Sequence, residues 1–202
     1  DAKFLNSLSA LRTSTLSEEH FDVLTARISH YDDLPTDIPK LFPHNANVDL
    51  LNNQALGQLS TDSHVYEMEA EGNPVLVASL VRSCLSPEKL TLKIGAAVMF
   101  TKNNPQVGYA NGMLGVVVGF DPYSSNPIVA TRDGRDIVAE PMEWAIEENG
   151  KVRAKIIQVP LRLAWAMTVH KSQGMSLDAA VMDLSASFEF GQGYVALSRV
   201  RK

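Results

Sequence analysis

The sequence predicts an α/β protein with a β-rich insertion in its middle, and three observations carry that reading. Apolar residues near the N-terminus recur at helical spacing. From Thr61 onward, short β-like segments follow one another, broken by Gly, Pro and Asn. Beyond Pro160 the pattern returns to apolar strand, polar loop and helix. A chain of 202 residues that is 45% hydrophobic can bury a core as one large domain or two small ones.

Phe4, Leu5, Leu8 and Leu11, then Phe21, Leu24 and Ile28, stand three and four residues apart, which predicts two helices. Ser17, followed by Glu18 and Glu19, marks the start of the second. YDDLPTDIPK, rich in proline and aspartate, is a loop. KLFPHNANVDLLNNQALGQL reads as a short strand, a polar turn with Asn45 and Asn47, and a helix carrying Val48, Leu51 and Leu56. Next, VYEMEAEGNPVLVA opens the β-like run. LTLKIGAAVMFTKNN, GMLGVVVGF, PIVATRDGRDIVA and the stretch around Trp144 supply four or five strands, with DGRD as a hairpin signal. Residues 61–155 are therefore expected to form a barrel-like insertion within an α/β domain of residues 1–60 and 156–202. In the last part, LRLAWAMTV reads as an apolar strand, HKSQG as a polar loop, AAVMDL as an alternating strand and GQGYVALSRV as a helix.

Composition narrows the function. No stretch approaches the roughly 20 apolar residues of a membrane span, and no secretory signal pattern opens the chain. The start lacks Met and falls inside an amphipathic segment, so the sequence reads as a fragment. One cysteine, Cys84, excludes an internal disulfide, and five scattered histidines offer no CxxC or HExxH spacing for zinc. A reducing compartment fits. The net charge of −5 argues against nucleic-acid binding when taken alone. Its distribution argues the other way: residues 1–90 hold 6 basic and 13 acidic side chains, whereas residues 151–202 hold 8 basic and 3 acidic.

Two segments carry chemistry. In PLRLAWAMTVHKSQGMSLDAAVMDL an apolar run ends in Thr168, His170, Lys171, Ser172, Gln173 and Gly174. Hydroxyls, imidazole and ammonium all suit phosphate, and open α/β sheets place ligands at such strand ends. A solvated loop with a helix cap accounts for the same residues. In GQGYVALSRVRK, Tyr194, Val195, Leu197 and Val200 can pack one helical face, leaving Arg199 and Arg201 off it. A held guanidinium stabilises charge on a transferred γ-phosphoryl group, whereas basic residues that only complement a helix dipole need no such role.

TVHKSQGMSLD and GQGYVALSRV resemble motifs five and six of the Pif-type, RecD-like branch of superfamily-one DNA helicases. LKIGAAVMFTKNN with GYANGMLGVVVGF resembles that branch's β-barrel insertion, and LFPHNANVDLLN its motif four. The resemblance implies a RecA-like second motor domain with an SH3-like barrel inserted between motifs four and five. It implies single-strand contacts at Thr168, His170, Lys171 and Ser172, and at His44 and Asn45. It also implies an ATP cleft near Gln173 and Gly174, and an arginine at Arg199 that reaches the γ-phosphate beside Ser198. Many relatives have arginine where Asn45 stands. The partners implied are single-stranded DNA and a first RecA-like domain, which would bind most of the ATP and Mg2+. No GxxxxGK[ST] phosphate loop and no paired acidic strand end occur in this sequence, so the chain alone is expected not to hydrolyse ATP. The implied whole is a 5′ to 3′ DNA helicase of the nucleus or mitochondrion, or of the bacterial cytoplasm, not secreted and without a membrane. The rival is a non-catalytic nucleic-acid or protein binding module derived from a helicase half.

The remaining candidates read as structure. Cys84 has no neighbouring histidine in sequence, and Trp165, inside an apolar run, reads as core. Tyr109 and Asn111, on the turn-like GYANG, read as the better strand-facing pair. Glu18 with Glu19 and Asp32 with Asp33 read as solvated.

Overall fold

A computed structural model of the chain describes residues 2–29, 38–42, 48–169, 172, 177, 179–184 and 191–200. The chain forms two compact units, one of residues 1–51 and 165–202 and the other of residues 52–164.

The first unit begins with α1 (Ala2–Arg12) and α2 (Glu18–Thr25). α1 buries Phe4, Ser7, Leu8 and Ala10, and the Ser7 hydroxyl donates to Lys3 O at 3.0 Å, so the buried polar group is satisfied within its own helix. The expected stripe is only partly internal, since Leu5 is 58% exposed. Ser17 caps α2 as predicted, with an unexpected partner: its N–H donates to Nδ1 of His20 at 3.1 Å, where a capping box ordinarily has Glu or Gln. No residue of α2 is buried, and Phe21 is 54% exposed, against the packing expected of it. Arg27 sits 4.3 Å above the Phe4 ring.

The centre of this unit is a parallel three-stranded sheet ordered β12 (Ala166–Thr168), β1 (Lys40–Phe42), β13 (Val181–Met182). Leu41 is 0% exposed and all three residues of β12 are buried, so β12 is covered on both faces. The ladder continues beyond the strands, with Lys40 N–H donating to Trp165 O and Val169 N–H to Phe42 O, each at 2.9 Å. α3 (Val48–Gln58) follows β1 in the chain, passes from the first unit into the second at Asn52, and buries Val48, Asn52 and Leu56, one side chain every four residues.

The second unit is antiparallel. β2 (His64–Glu67) pairs with β4 (Lys89–Leu92), and β3 (Glu69–Gly72), β10 (Lys151–Gln158) and β9 (Met142–Glu148) form a second sheet. A third sheet runs β11 (Leu161–Leu163), β5 (Ala97–Phe100), β6 (Leu114–Phe120), β7 (Pro127–Thr131), β8 (Asp136–Val138). It is open: β8 and β11 are its edges, and no closed barrel forms among the described residues. Gly115 lets β6 and β7 approach, because a Cβ there would lie 2.5 Å from Val129 Cγ1 and 2.7 Å from Ala130 O. The hairpin expected at DGRD joins β7 to β8, with Gly134 at φ 83°.

Three local expectations are corrected. PVLVA, read as β-like, lies in the helix α4 (Pro74–Ser83): Asn73 Oδ1 accepts from Val75 N–H at 2.9 Å, and Pro74 occupies the first turn. Its Leu80 packs with Ala154 and Ile156, and Trp144 and Ile146 lie against that cluster. Position 155, expected to end the insertion, falls inside β10, which runs unbroken to Gln158. There Gln158, 2% exposed, donates from Nε2 to the carbonyls of Tyr66, Pro87 and Glu88 at 3.3, 2.9 and 3.1 Å and accepts from Val159 N–H at 2.8 Å. LRLAWAMTV, read as one strand, is two: β11 belongs to the second unit and β12 to the first.

Candidate nucleotide and nucleic-acid site

The polar loop expected at the end of the last apolar run starts from Thr168, the final residue of β12, which pairs opposite Phe42 and is 1% exposed. The chain turns immediately. Ser172 N–H donates to Thr168 O at 3.1 Å and Val169 O at 3.2 Å, and its hydroxyl donates to Val169 O at 2.7 Å. With Ser172 at 0% exposure, both hydroxyl-bearing candidates face inward, where they shape the turn at the carboxyl end of a parallel strand. His170, Lys171, Gln173 and Gly174, together with His44 and Asn45, lie outside the described residues.

The second segment forms α5 (Gln192–Leu197), entered through Gly191 at φ 80°. Its buried positions are Gln192 and Ala196, four residues apart, while the expected stripe of Tyr194, Val195, Leu197 and Val200 is half-buried. Just beyond the helix, Arg199 is folded back over the last turn. Nε donates to Val195 O at 3.0 Å, Nη2 to Ser198 Oγ at 2.8 Å, and Ser198 Oγ in turn to Val195 O at 2.8 Å. Of the five N–H donors of a guanidinium, both on Nη1 make no hydrogen bond among the described residues. The guanidinium is thus oriented and still able to take an anion.

The two segments are joined by one backbone contact. Leu177, 0% exposed, donates its N–H to Arg199 O at 2.7 Å and forms a parallel bridge with Val200. Sequence reasoning missed Leu177, because a leucine in a polar stretch carries no signal of a long-range pair. Among the described residues no three His, Cys, Asp or Glu side chains gather as an all-protein metal site would require, whereas Arg199 suits a phosphate.

The other candidates fall elsewhere. Tyr109 is 4% exposed, stacked on Phe100 at 4.2 Å with its hydroxyl 3.0 Å from Met142 Sδ, so it is core and not strand-facing. Asn111 N–H donates to Asn103 Oδ1 at 2.8 Å. Trp165 is half-buried, and Trp144 lies under Lys102 Nζ at 4.6 Å. Burial pushes the half-buried Cys84 thiol up, away from the thiolate that a nucleophile needs.

Residues 76–120 match the family model described as DNA helicase Pif1, 2B domain. The chain is 37% identical to the ATP-dependent DNA helicase Pif1 of Psychrobacter sp. (strain PRwf-1), over 85% of this chain and 34% of that protein. It is 36% identical to the ATP-dependent DNA helicase PIF1 of Xenopus laevis over 100% of this chain and 32% of the relative. Against the Bdellovibrio bacteriovorus helicase the identity is again 36%, over 100% of this chain and 45% of the relative. The chain thus spans 32% to 45% of the length of these relatives. Among solved structures, Pif1 from Bacteroides sp. in complex with ADP-AlF4 superposes with a TM-score of 0.85 at 29% identity, over 100% of this chain and 47% of that one. Pif1 from Candida albicans gives 0.68 at 31% identity, over 99% and 51%. Bacteroides Pif1 bound to ssDNA gives 0.64 at 29%, over 100% and 47%.

Proposed function

The chain is Pif1-like from end to end, and from that premise we propose that it is the C-terminal half of an ATP-dependent 5′ to 3′ DNA helicase acting in DNA maintenance. In this reading the unit of residues 1–51 and 165–202 is a RecA-like second motor domain, and the five-stranded sheet belongs to an SH3-like module inserted in it. The enzyme works in the nucleus or mitochondrion of a eukaryote, or in a bacterial cytoplasm.

In this reading His170, Lys171, His44 and Asn45 grip the strand backbone. Gln173 and Gly174 line the ATP cleft. A first RecA-like domain holds most of the nucleotide, and ATP with Mg2+ supplies the transferable phosphoryl group. Arg199 stabilises the negative charge that develops on it. The observation that carries this reading is the 2.7 Å bond from Leu177 N–H to Arg199 O: the segment leaving the strand-gripping turn is tied to the residue that senses phosphate. A change in contact at Arg199 therefore reaches the DNA grip through backbone.

The test is Arg199→Ala in the complete helicase. DNA-stimulated ATPase should fall by about 10³-fold, while binding to a single-stranded oligonucleotide stays within about threefold. Unchanged ATPase would leave the rival reading, a non-catalytic binding module, in its place. The inward-facing Thr168 and Ser172 favour that rival to one extent: direct strand contact rests on fewer residues.

A further inference from the structure

We propose that the outer edge of β8 is a docking site for an extended peptide segment of a partner protein, one that alternates apolar and basic residues. The argument begins with hydrogen-bond direction. Thr131 N–H donates to Arg135 O and Ala139 N–H to Pro127 O, each at 2.8 Å, and these two bonds bracket β8. Alternation along an antiparallel ladder then turns the backbone polar groups of Ile137 toward Val129 and those of Asp136 and Val138 away from the sheet. β8 ends the strand order, and the outward N–H and C=O groups of Asp136 and Val138 make no hydrogen bond among the described residues. They are a ready template for one more strand.

Beside this edge lies a groove of about 550 Å³, lined by Val107, Arg135, Asp136, Ile137, Val138 and Glu140. Its far wall is held in place: Arg135 Nη2 donates to Gly108 O at 3.0 Å, and Tyr109 is stacked on Phe100. The groove is preformed, so an occupant would order little protein on binding. Its chemistry selects the occupant. Val107 and Val138 are 46% and 37% exposed, which offers apolar surface to alternate side chains. The charge of Arg135 is met by Asp133 at 2.7 Å, whereas Asp136 and Glu140 form no ion pair among the described residues. What remains is apolar and acidic. That repels a nucleic-acid backbone and favours lysine or arginine in an extended chain. The proposal stands apart from the helicase reading, since β8 and its groove lie wholly within residues 52–164.

The test titrates the full-length protein into a fluorescein-labelled synthetic peptide of about eight alternating valine and lysine residues, read by fluorescence anisotropy. Saturable binding is expected. Val138→Pro removes one outward donor without breaking a β7–β8 bond, and should weaken binding about tenfold with DNA-stimulated ATPase unchanged. Asp136→Lys should weaken the lysine peptide and strengthen its glutamate counterpart. If the proline variant disturbs the sheet, peptides N-methylated at alternate nitrogens report on the unaltered protein: one register should abolish binding and the other leave it. No saturation up to about 1 mM, or equal loss in both registers, overturns the proposal. So does displacement of the peptide by a single-stranded oligonucleotide whose own binding Val138→Pro weakens, which would make the edge a DNA surface.

Discussion

β11 and β12 are three-residue strands separated by only Ala164 and Trp165, in one apolar run, yet they pair in opposite senses. β11 lies antiparallel to β5 at the edge of a five-stranded sheet, and β12 lies parallel to β1 in the other unit. All of β12 is buried; in β11, Leu163 is half-exposed. The same hydrophobicity thus serves an open antiparallel edge and a doubly covered parallel strand. The two units differ in the same way. In residues 52–164, β6, β7 and β8 are sequence neighbours joined by short turns, although β3 with β10 and β5 with β11 pair from further apart. In the first unit Leu41 reaches Met167 and Met182, more than a hundred residues along the chain. Local turns are written residue by residue; a parallel sheet depends on contacts that no window of sequence contains.

The strongest way to break this comparison is at Gln158, whose side chain ties the end of β10 to the carbonyls of Tyr66, Pro87 and Glu88. Gln158→Leu removes the bonds to three carbonyls and from Val159 N–H and should cost about 2 kcal/mol, read as a lower urea midpoint in the intact chain. A cost near zero would mean that the strand ladders and turns hold this unit without that side chain. At the same scale in function, the Arg199→Ala loss of ATPase asks whether the long-range stitch of the first unit does chemistry. Smaller effects compare one local device from each unit. Asn73→Ala removes the cap of α4 and should cost about 1 kcal/mol, visible as faster amide exchange at Leu80. Ser172→Ala removes the hydroxyl bond to Val169 O, with a loss of about 1 kcal/mol, and should loosen Leu41 and Met167 instead. Exchange that spreads evenly over both units after either change would contradict their independence.

The smallest effect lies at the β7–β8 hairpin. Hydrogen bonds from Arg135, then from the Thr131 hydroxyl, hold Asp133 down to about 2, below the ordinary aspartate value. A depressed carboxyl contributes stability above its unfolded value near 3.9. That contribution fades as pH falls through about 2. Because Asp133 is exposed, the change should be confined to the hairpin. NMR shifts of Gly134 and Arg135 between those pH values should follow it, and Asp133→Asn should abolish it; a titration unchanged in that variant would assign the shift to another group.

Legibility followed the same division. Ser17, DGRD and the alternating strands between Leu90 and Ile157 were readable because caps, turns and period-two burial are local chemistry. α4 was not, since VLVASLV carries β-branched residues and only the Asn73–Pro74 start decides for helix. Tyr109 looked like a loop aromatic because GYANG is a turn; its ring is spent on Phe100, a contact that closes from a neighbouring strand. At the site, the polar cluster and the arginine were visible as residue types. Inward-facing Thr168 and Ser172 were not, because which face of a turn is covered depends on the sheet behind it.

Taken alone, the sequence determined the apolar alternation of most strands, several turns and caps, and the family resemblance that its ordered motifs carry. The tertiary structure decided that LRLAWAMTV divides between two sheets, that the five-stranded sheet stays open, and that Leu177 is tied to Arg199. The reason is physical. Burial and turn preference are properties of single residues and their neighbours, whereas a strand's partner, a sheet's closure and a stitch between distant segments arise only when chain entropy is given up to bring those segments together.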